Sequence, residues 1–225
     1  MLEVSYEAFE NAGVPLEKLA KSKTGCFISA FTHDWREMQF QDPDFAPMYS
    51  VSGLGTEVLA NRISWFYDLK GPSMTIETAC SGSLVGLHVA CQSLGSGDCD
   101  TALVGGANLF LSPNMFNALS NQGFLSPDGL CKAFDASADG YGRGEGFAAL
   151  VLKPVEKAIR DGDTIRAIIR GSATNQDGRT RSMTMPNGEA QEELIREAYR
   201  SAGLDFKDTS YFEAHVSKYS TLLCI

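Results

Sequence analysis

A chain of 225 residues is long enough to bury most of the apolar surface of one sizeable domain or two small ones. Its composition, 44% hydrophobic and 21% charged with 22 glycines, is that of a globular protein and excludes a disordered one. A formal net charge of −9 and a pI near 4.8 exclude the broad basic field that non-specific binding to nucleic acid or an anionic membrane requires.

Residues 2–12, LEVSYEAFENA, predict a helix with Leu2, Tyr6 and Phe9 on one face and Gly13 as its stop. TGCFISA (24–30) is a short β run, followed by a long polar and aromatic loop, FTHDWREMQFQDPDFAPMYS. TEVLANRISWFYDL (56–69) predicts a helix carrying Leu59, Ile63 and Phe66 at helical spacing, ended by Gly71-Pro72. SMTIET (73–78) reads as a buried strand that leads into the Ala79-Cys80 corner, and a helix runs from Ser81 to Leu94. TALVGGANLF (101–110) has strand length, and a short helix follows Pro113. FAALVLKPV (147–155) and IRAIIRGSA (165–173) are strands on either side of the helix EKAIRDG. EAQEELIREAYRSAG (189–203) is an amphipathic helix with Leu194, Ala198 and Tyr199 inward, and SYFEA (210–214) is a last strand that delivers His215. Such alternation predicts an α/β fold with largely parallel pairing, and the absence of repeats or linkers predicts one domain.

Six cysteines, at 26, 80, 91, 99, 131 and 224, form no C-x-x-C pair and no disulfide framework, so a reduced, cytoplasmic setting is expected. No basic-then-apolar run opens the sequence, so no signal peptide is expected, and it has no apolar run of membrane-spanning length and no Asn-x-Ser/Thr site. No His, Cys or carboxylate cluster has metal-ligand spacing, and neither a metal nor a cofactor is expected.

Cys80 sits where a strand, a tight turn and a helix of small residues meet, the pattern of a nucleophile elbow. Ala79, Ser81, Gly82 and Ser83 allow the sharp turn and leave room for a substrate. A helix N-terminus stabilises a thiolate there, and its N–H groups can bind an oxyanion. The pattern alone leaves two readings open, a nucleophile or a small buried hydrophobe. Cys26, Cys91, Cys99 and Cys131 lack that context and are expected to be structural, as are His33 and His88. GYGRGEG (140–146) fits neither a dinucleotide nor a Walker loop, since it leads into a strand; it predicts tight turns, with Arg143 and Glu145 as a structural polar pair.

TACSGSL (78–84) resembles the active-site cysteine motif of the β-ketoacyl synthases, the condensing enzymes of fatty-acid and polyketide assembly. The resemblance continues through LSPDGLCKAFDASADGYGRGEG, ATNQDGRT, MTMPNGEAQEELIREAY and YFEAH, covers about residues 1–215, and is closest in style to the ketosynthases of modular or fungal polyketide synthases. Where many relatives carry Ser after the Cys-Ser pair, this chain has Gly82. The resemblance implies a thiolase-like fold, mainly the N-terminal half of a duplicated αβαβα arrangement. It also implies acyl transfer to Cys80, decarboxylative condensation with a malonyl-type thioester, and His215 as the first of two catalytic histidines. Partners would be acyl and malonyl thioesters on acyl carrier protein or coenzyme A, with no nucleic acid or membrane; the intact family forms homodimers, with SMTIET near the interface.

The family pattern continues past EAH into a Gly-Thr-Gly-Thr run, then a lysine, a second histidine and a glycine-rich loop, none of which follow His215 here. The opening helix likewise corresponds to a point inside the family's domain. Residues 1–215 therefore read as a partial β-ketoacyl synthase domain and 216–225, VSKYSTLLCI, as a non-homologous tail. Val216-Ser217 can be encoded by a splice-donor consensus, which points to a translated intron. Impaired condensation and uncovered apolar faces are expected of such a chain, and the alternative is an inactive fragment that keeps only dimerisation or carrier contacts. A cysteine hydrolase is disfavoured, because no Asp/Asn-His pair is evident.

Overall fold

The computed structural model describes residues 1–42 and 44–215; the segment 216–225, with Cys224 and the Val216-Ser217 pair, lies outside the described residues. In chain order the elements are helices α1 (Leu2–Asn11) and α2 (Leu16–Leu19), strand β1 (Thr24–Ala30), helices α3 (Asp34–Gln39), α4 (Ser50–Leu54) and α5 (Val58–Phe66), strand β2 (Ser73–Thr75), helix α6 (Gly82–Ser96), strand β3 (Thr101–Asn108), helix α7 (Asn114–Asn121), strand β4 (Gly146–Leu152), and helices α8 (Val155–Asp161) and α9 (Gly188–Ala202). They divide into two compact units: residues 1–112 with 145–168, and residues 113–144 with the described residues from 169 onward.

The first unit is built on a four-stranded sheet in the order β2-β1-β3-β4. β1 is parallel to both β2 and β3, whereas β4 runs antiparallel to β3. The pairing of Asn108 with Gly146 explains the departure from a largely parallel sheet: the chain leaves β3 and re-enters β4 at the same end, so β4 must run back. β1 is buried from Thr24 to Ser29, as a central strand covered on both faces should be.

Period-two alternation sorts its side chains into two cores. Cys26, Ile28 and Leu103 pack with Phe9 of α1 and with Ala60, Ile63 and Tyr67 at α5. Phe27, Ala102 and Val104 face the other way, against Ala90 and Leu87 of α6. Burying each large apolar side chain stabilises the fold by about 1.5–3 kcal/mol, so this α/β/α sandwich is held chiefly by the residues flanking β1 and β3. The inward face of α1 is Leu2, Ser5 and Phe9, while Tyr6 is exposed; α5 turns Tyr67 inward and leaves Phe66 outside. Phe9 and Tyr67 meet edge to face, with centroids 5.4 Å apart, which ties α1 to the end of α5. Gly97, at φ 78°, stops α6 in the left-handed conformation that a side chain would resist.

In the second unit the segment 124–141 closes on itself through Ser126 N–H to Tyr141 O at 3.0 Å and Tyr141 N–H to Phe124 O at 3.0 Å. α9 begins at Asn187, whose side chain accepts from the N–H groups of Glu189 and Ala190, and ends at left-handed Gly203. Leu194, Ala198 and Tyr199 are half-buried along its apolar stripe.

Two expected strands are not formed. Residues 165–173 and 210–214 have no ladder among the described residues, and Ile165, Ile168 and Ile169 stay exposed. A strand is a paired state, so β-favouring side chains without a neighbouring strand leave only an extended segment. The loop after β1 contains two short helices, α3 and α4, which its mixed polar and aromatic sequence does not announce. Among the described residues no helix is long and apolar enough to cross a membrane, no cysteine is in a disulfide, and no group of His, Cys, Asp and Glu could hold a metal ion.

Candidate active site

After β2 the chain stays beside β1, with Ile76 N–H donating to Ile28 O at 2.8 Å, and then turns sharply. Ala79 takes a left-handed φ of 51°, and Ala79–Ser81 form one 3-10 turn that runs into α6. A non-glycine residue in that region is strained, and such residues gather at functional sites. The Ser81 hydroxyl donates to Thr78 O at 2.8 Å and also lies 2.9 Å from Thr78 Oγ1, which fixes the turn. Cys80, at its middle, is exposed. Among the described residues no side chain caps the N-terminus of α6, so the positive end of a fifteen-residue helix is open where the thiol stands.

Close seating of α6 on the sheet depends on its small residues. A Cβ on Gly86 would lie 3.4 Å from Ile76 Cδ1, and one on Gly106 in β3 would lie 3.3 Å from Ser83 Cβ. Beyond the carboxyl ends of β1, β2 and β3, where open α/β sheets bind ligands, is a pocket of about 230 Å³ lined by Thr32, His33, Glu77, Leu109 and Leu111 among others. His33 lines this pocket, with its Nε2 3.7 Å from Glu77 Oε1. Asp34 is buried and accepts the N–H groups of Leu111 and Ser112, holding the far rim. His88 is on α6, with Nε2 2.9 Å from Gln92 Nε2.

The remaining cysteines divide. Cys26 and Cys99 are buried and Cys91 half-buried, and burial raises all three thiols, Cys26 to about 12. Cys131 departs from expectation: it is exposed, and its sulfur accepts the Gly142 N–H at 3.3 Å. The glycines of GYGRGEG do permit close backbone approach, since a Cβ on Gly142 would lie 2.0 Å from Gly129 O. Arg143 stacks over the Phe116 ring at 4.2 Å, and the Glu145 carboxylate accepts the Phe110 N–H at 2.6 Å. Cys80 belongs to the first unit and His215 to the second, where His215 is exposed and enters a single β bridge instead of ending a strand.

The family model described as "Beta-ketoacyl synthase, N-terminal domain" matches residues 1–158. The chain belongs to the β-ketoacyl synthase family. The corresponding C-terminal domain model matches residues 166–221. Among curated relatives, the partially reducing polyketide synthase men1 of Menisporopsis theobromae is 74% identical over 215 residues, 96% of this chain and 8% of that protein. The highly reducing polyketide synthase dmxL2 of Cryptosporiopsis sp. is 60% identical over 96% of this chain and 9% of its own length. The chain thus spans less than a tenth of these relatives.

Solved ketosynthases superpose closely. The ketosynthase from module 6 of the bacillaene synthase of Bacillus subtilis 168 gives a TM-score of 0.88 at 40% identity, covering 97% of this chain and 37% of that one. The oxazolomycin ketosynthase domain OzmH KS7 of Streptomyces albus JA3453 gives 0.87 at 35% identity over 96% of this chain and 38% of its own. The fold is α/β and thiolase-like. Asp34 and Glu77 line the pocket, whose lining does not include Cys80, and Ser29 faces the Gly82 position; none of these placements was legible, because the partners lie far along the chain.

Proposed function

We propose that this chain is the nucleophile-bearing part of a polyketide-synthase ketosynthase, with Cys80 as the acyl acceptor. The observation that carries the reading is the exposed Cys80 thiol at the start of α6, directly after left-handed Ala79. The Cys80 thiolate attacks the carbonyl carbon of an acyl thioester on a carrier protein or coenzyme A. The C–S bond to the carrier breaks, and the departing thiolate takes a proton. The positive end of α6 favours the oxyanion that forms on the way. A malonyl-type thioester then loses carbon dioxide, and its enolate carbon attacks the Cys80 thioester. The β-ketoacyl product leaves on the extender's carrier and the thiolate of Cys80 is restored.

His215 is assigned to the second half-reaction, as a donor to the enolate oxygen. In the family pattern that step also draws on a second histidine and a lysine. The chain's substrates are acyl and malonyl thioesters, and its physiological form is a homodimer within a larger synthase.

Incubation with an acyl-N-acetylcysteamine thioester, read by intact mass, tests the assignment. A single acyl adduct that is lost in Cys80→Ala supports it; an adduct that persists in that variant, or none in the parent, refutes it. A second reading, pairing without turnover, is favoured by the position of β2, which among the described residues is an edge strand beside β1.

A further inference from the structure

We infer that Ser29 is the positioning residue of the Cys80 turn, and that its hydroxymethyl group is what requires residue 82 to be glycine. This rests on Cys80 being the nucleophile. Ser29 is in β1 on the same face as Phe27, the face that α6 covers, and is 5% exposed. A Cβ on Gly82 would lie 1.9 Å from Ser29 Oγ, 2.9 Å from Ser29 Cβ and 3.1 Å from Ile76 O. Rotating the serine moves its oxygen but not its Cβ, which is attached to the most buried strand of the sheet. Any side chain at 82 must therefore lift the first turn of α6 off β1. Neighbouring contacts are milder: the Gly86 and Gly106 positions would meet their nearest atoms at 3.4 and 3.3 Å.

Lifting that turn moves the sulfur. Gly82 N–H bonds to Ala79 O and Ser81 N–H to Thr78 O, so residues 78–82 move as one hydrogen-bonded piece with Cys80 inside it. Thioester attack needs the sulfur about 3–3.5 Å from the carbonyl carbon, and a displacement of about 1 Å costs roughly a hundredfold. Ser29 and Gly82 are consequently one coupled position: the small side chain that fills the gap can come from the strand or from the helix, but not from both.

The test is a double-mutant cycle on the 225-residue chain, reading the rate of Cys80 modification by iodoacetamide and by an acyl-N-acetylcysteamine thioester, with its pH profile and the Tm of each variant. Gly82→Ser is expected to slow thioester capture at least about tenfold and to displace the pH profile, while Ser29→Gly with Gly82→Ser returns both to within about threefold of the parent. If Gly82→Ser does not fold, recovery of folding in the double variant carries the same meaning, and Gly82→Ala supplies the milder single change. Parent-like capture in Gly82→Ser, or a double variant no better than Gly82→Ser, overturns the role of Ser29. A parent whose Cys80 reacts no faster than an unfolded peptide cysteine overturns instead the nucleophile reading beneath it.

Discussion

Asp34 holds the backbone of Leu111 across 77 positions of sequence: its Oδ2 accepts the Leu111 N–H at 2.9 Å. The same oxygen takes the Ser112 N–H at 3.0 Å, and the residue is 4% exposed. Asp34→Ala leaves two N–H groups without their partner and is expected to cost the first unit about 2–3 kcal/mol, while Asp34→Asn, which keeps an acceptor oxygen, costs about half as much. Urea unfolding checks both. Equal stability of Asp34→Ala and the parent would remove this carboxylate from the frame of the pocket.

Glycines of one short motif differ in what they tolerate. Gly140 has φ 151°, and a Cβ there would lie 2.3 Å from Ser126 N; Gly144 and Gly146 have open space around theirs. Gly140→Ala is expected to destabilise by about 2 kcal/mol or more, whereas Gly144→Ala and Gly146→Ala stay within about 1 kcal/mol of the parent. Thermal unfolding of the three variants separates a strained backbone from a merely glycine-rich one.

A polar knot in the second unit sets an acid limit. The Ser126 hydroxyl stands 2.5 Å from Asp128 Oδ1 and 2.7 Å from Asp139 Oδ1, and Lys132 Nζ lies 2.9 Å from Asp128 and 3.1 Å from Asp139. The Ser126 hydrogen bond, then Lys132, lowers the Asp128 carboxyl to about 2, and the same two groups lower Asp139. A depressed folded-state value means that the knot contributes above the ordinary carboxylate range and is lost as pH falls from about 4 to 2. Amide exchange across residues 126–142 is expected to quicken over that window, and Lys132→Met should move the onset to higher pH.

At the other extreme, burial raises the Cys26 thiol from 9.0 to about 12, opposed by a smaller hydrogen-bond contribution from Ser64. The folded state keeps this proton longer than the unfolded one does. Its contribution is therefore complete below pH 9 and declines as pH rises towards 12, by up to about 1.4 kcal/mol per unit. Cys91 and Cys99, also raised by burial, add to the same trend. Cys26→Ala should flatten the alkaline decline in urea-derived stability; an unchanged slope would show that the buried thiol is not its source.

Local pattern carried much of the fold. TGCFISA forms β1 over its whole length, and the helix expected at Ser81–Leu94 runs from Gly82 to Ser96. The corner at Cys80 was legible because small residues at a strand-to-helix junction have few other uses. Residues 165–173 misled because β propensity reports a suitable surface, not the presence of a neighbour to pair with. Phe66, expected on the inward spacing with Leu59 and Ile63, is exposed and Tyr67 is buried instead, because adjacent aromatics at a helix end differ by one step of rotation, which tertiary packing decides. Ser29 and Gly82 stand 53 positions apart (82 − 29 = 53), and a clash between them leaves no trace in local sequence.

The register of β1 against β3 has a consequence for synthesis on the ribosome. Thr24 pairs with Thr101, so 77 further residues (101 − 24 = 77) must be translated before the central strand gains its second neighbour. At about 5–20 residues per second that interval is roughly 4–15 s. Throughout it β1 lacks the ladder partner that β3 supplies, which leaves that side of the nascent strand open to a holding chaperone. The floor beneath the thiol is thus laid early in translation but closed late.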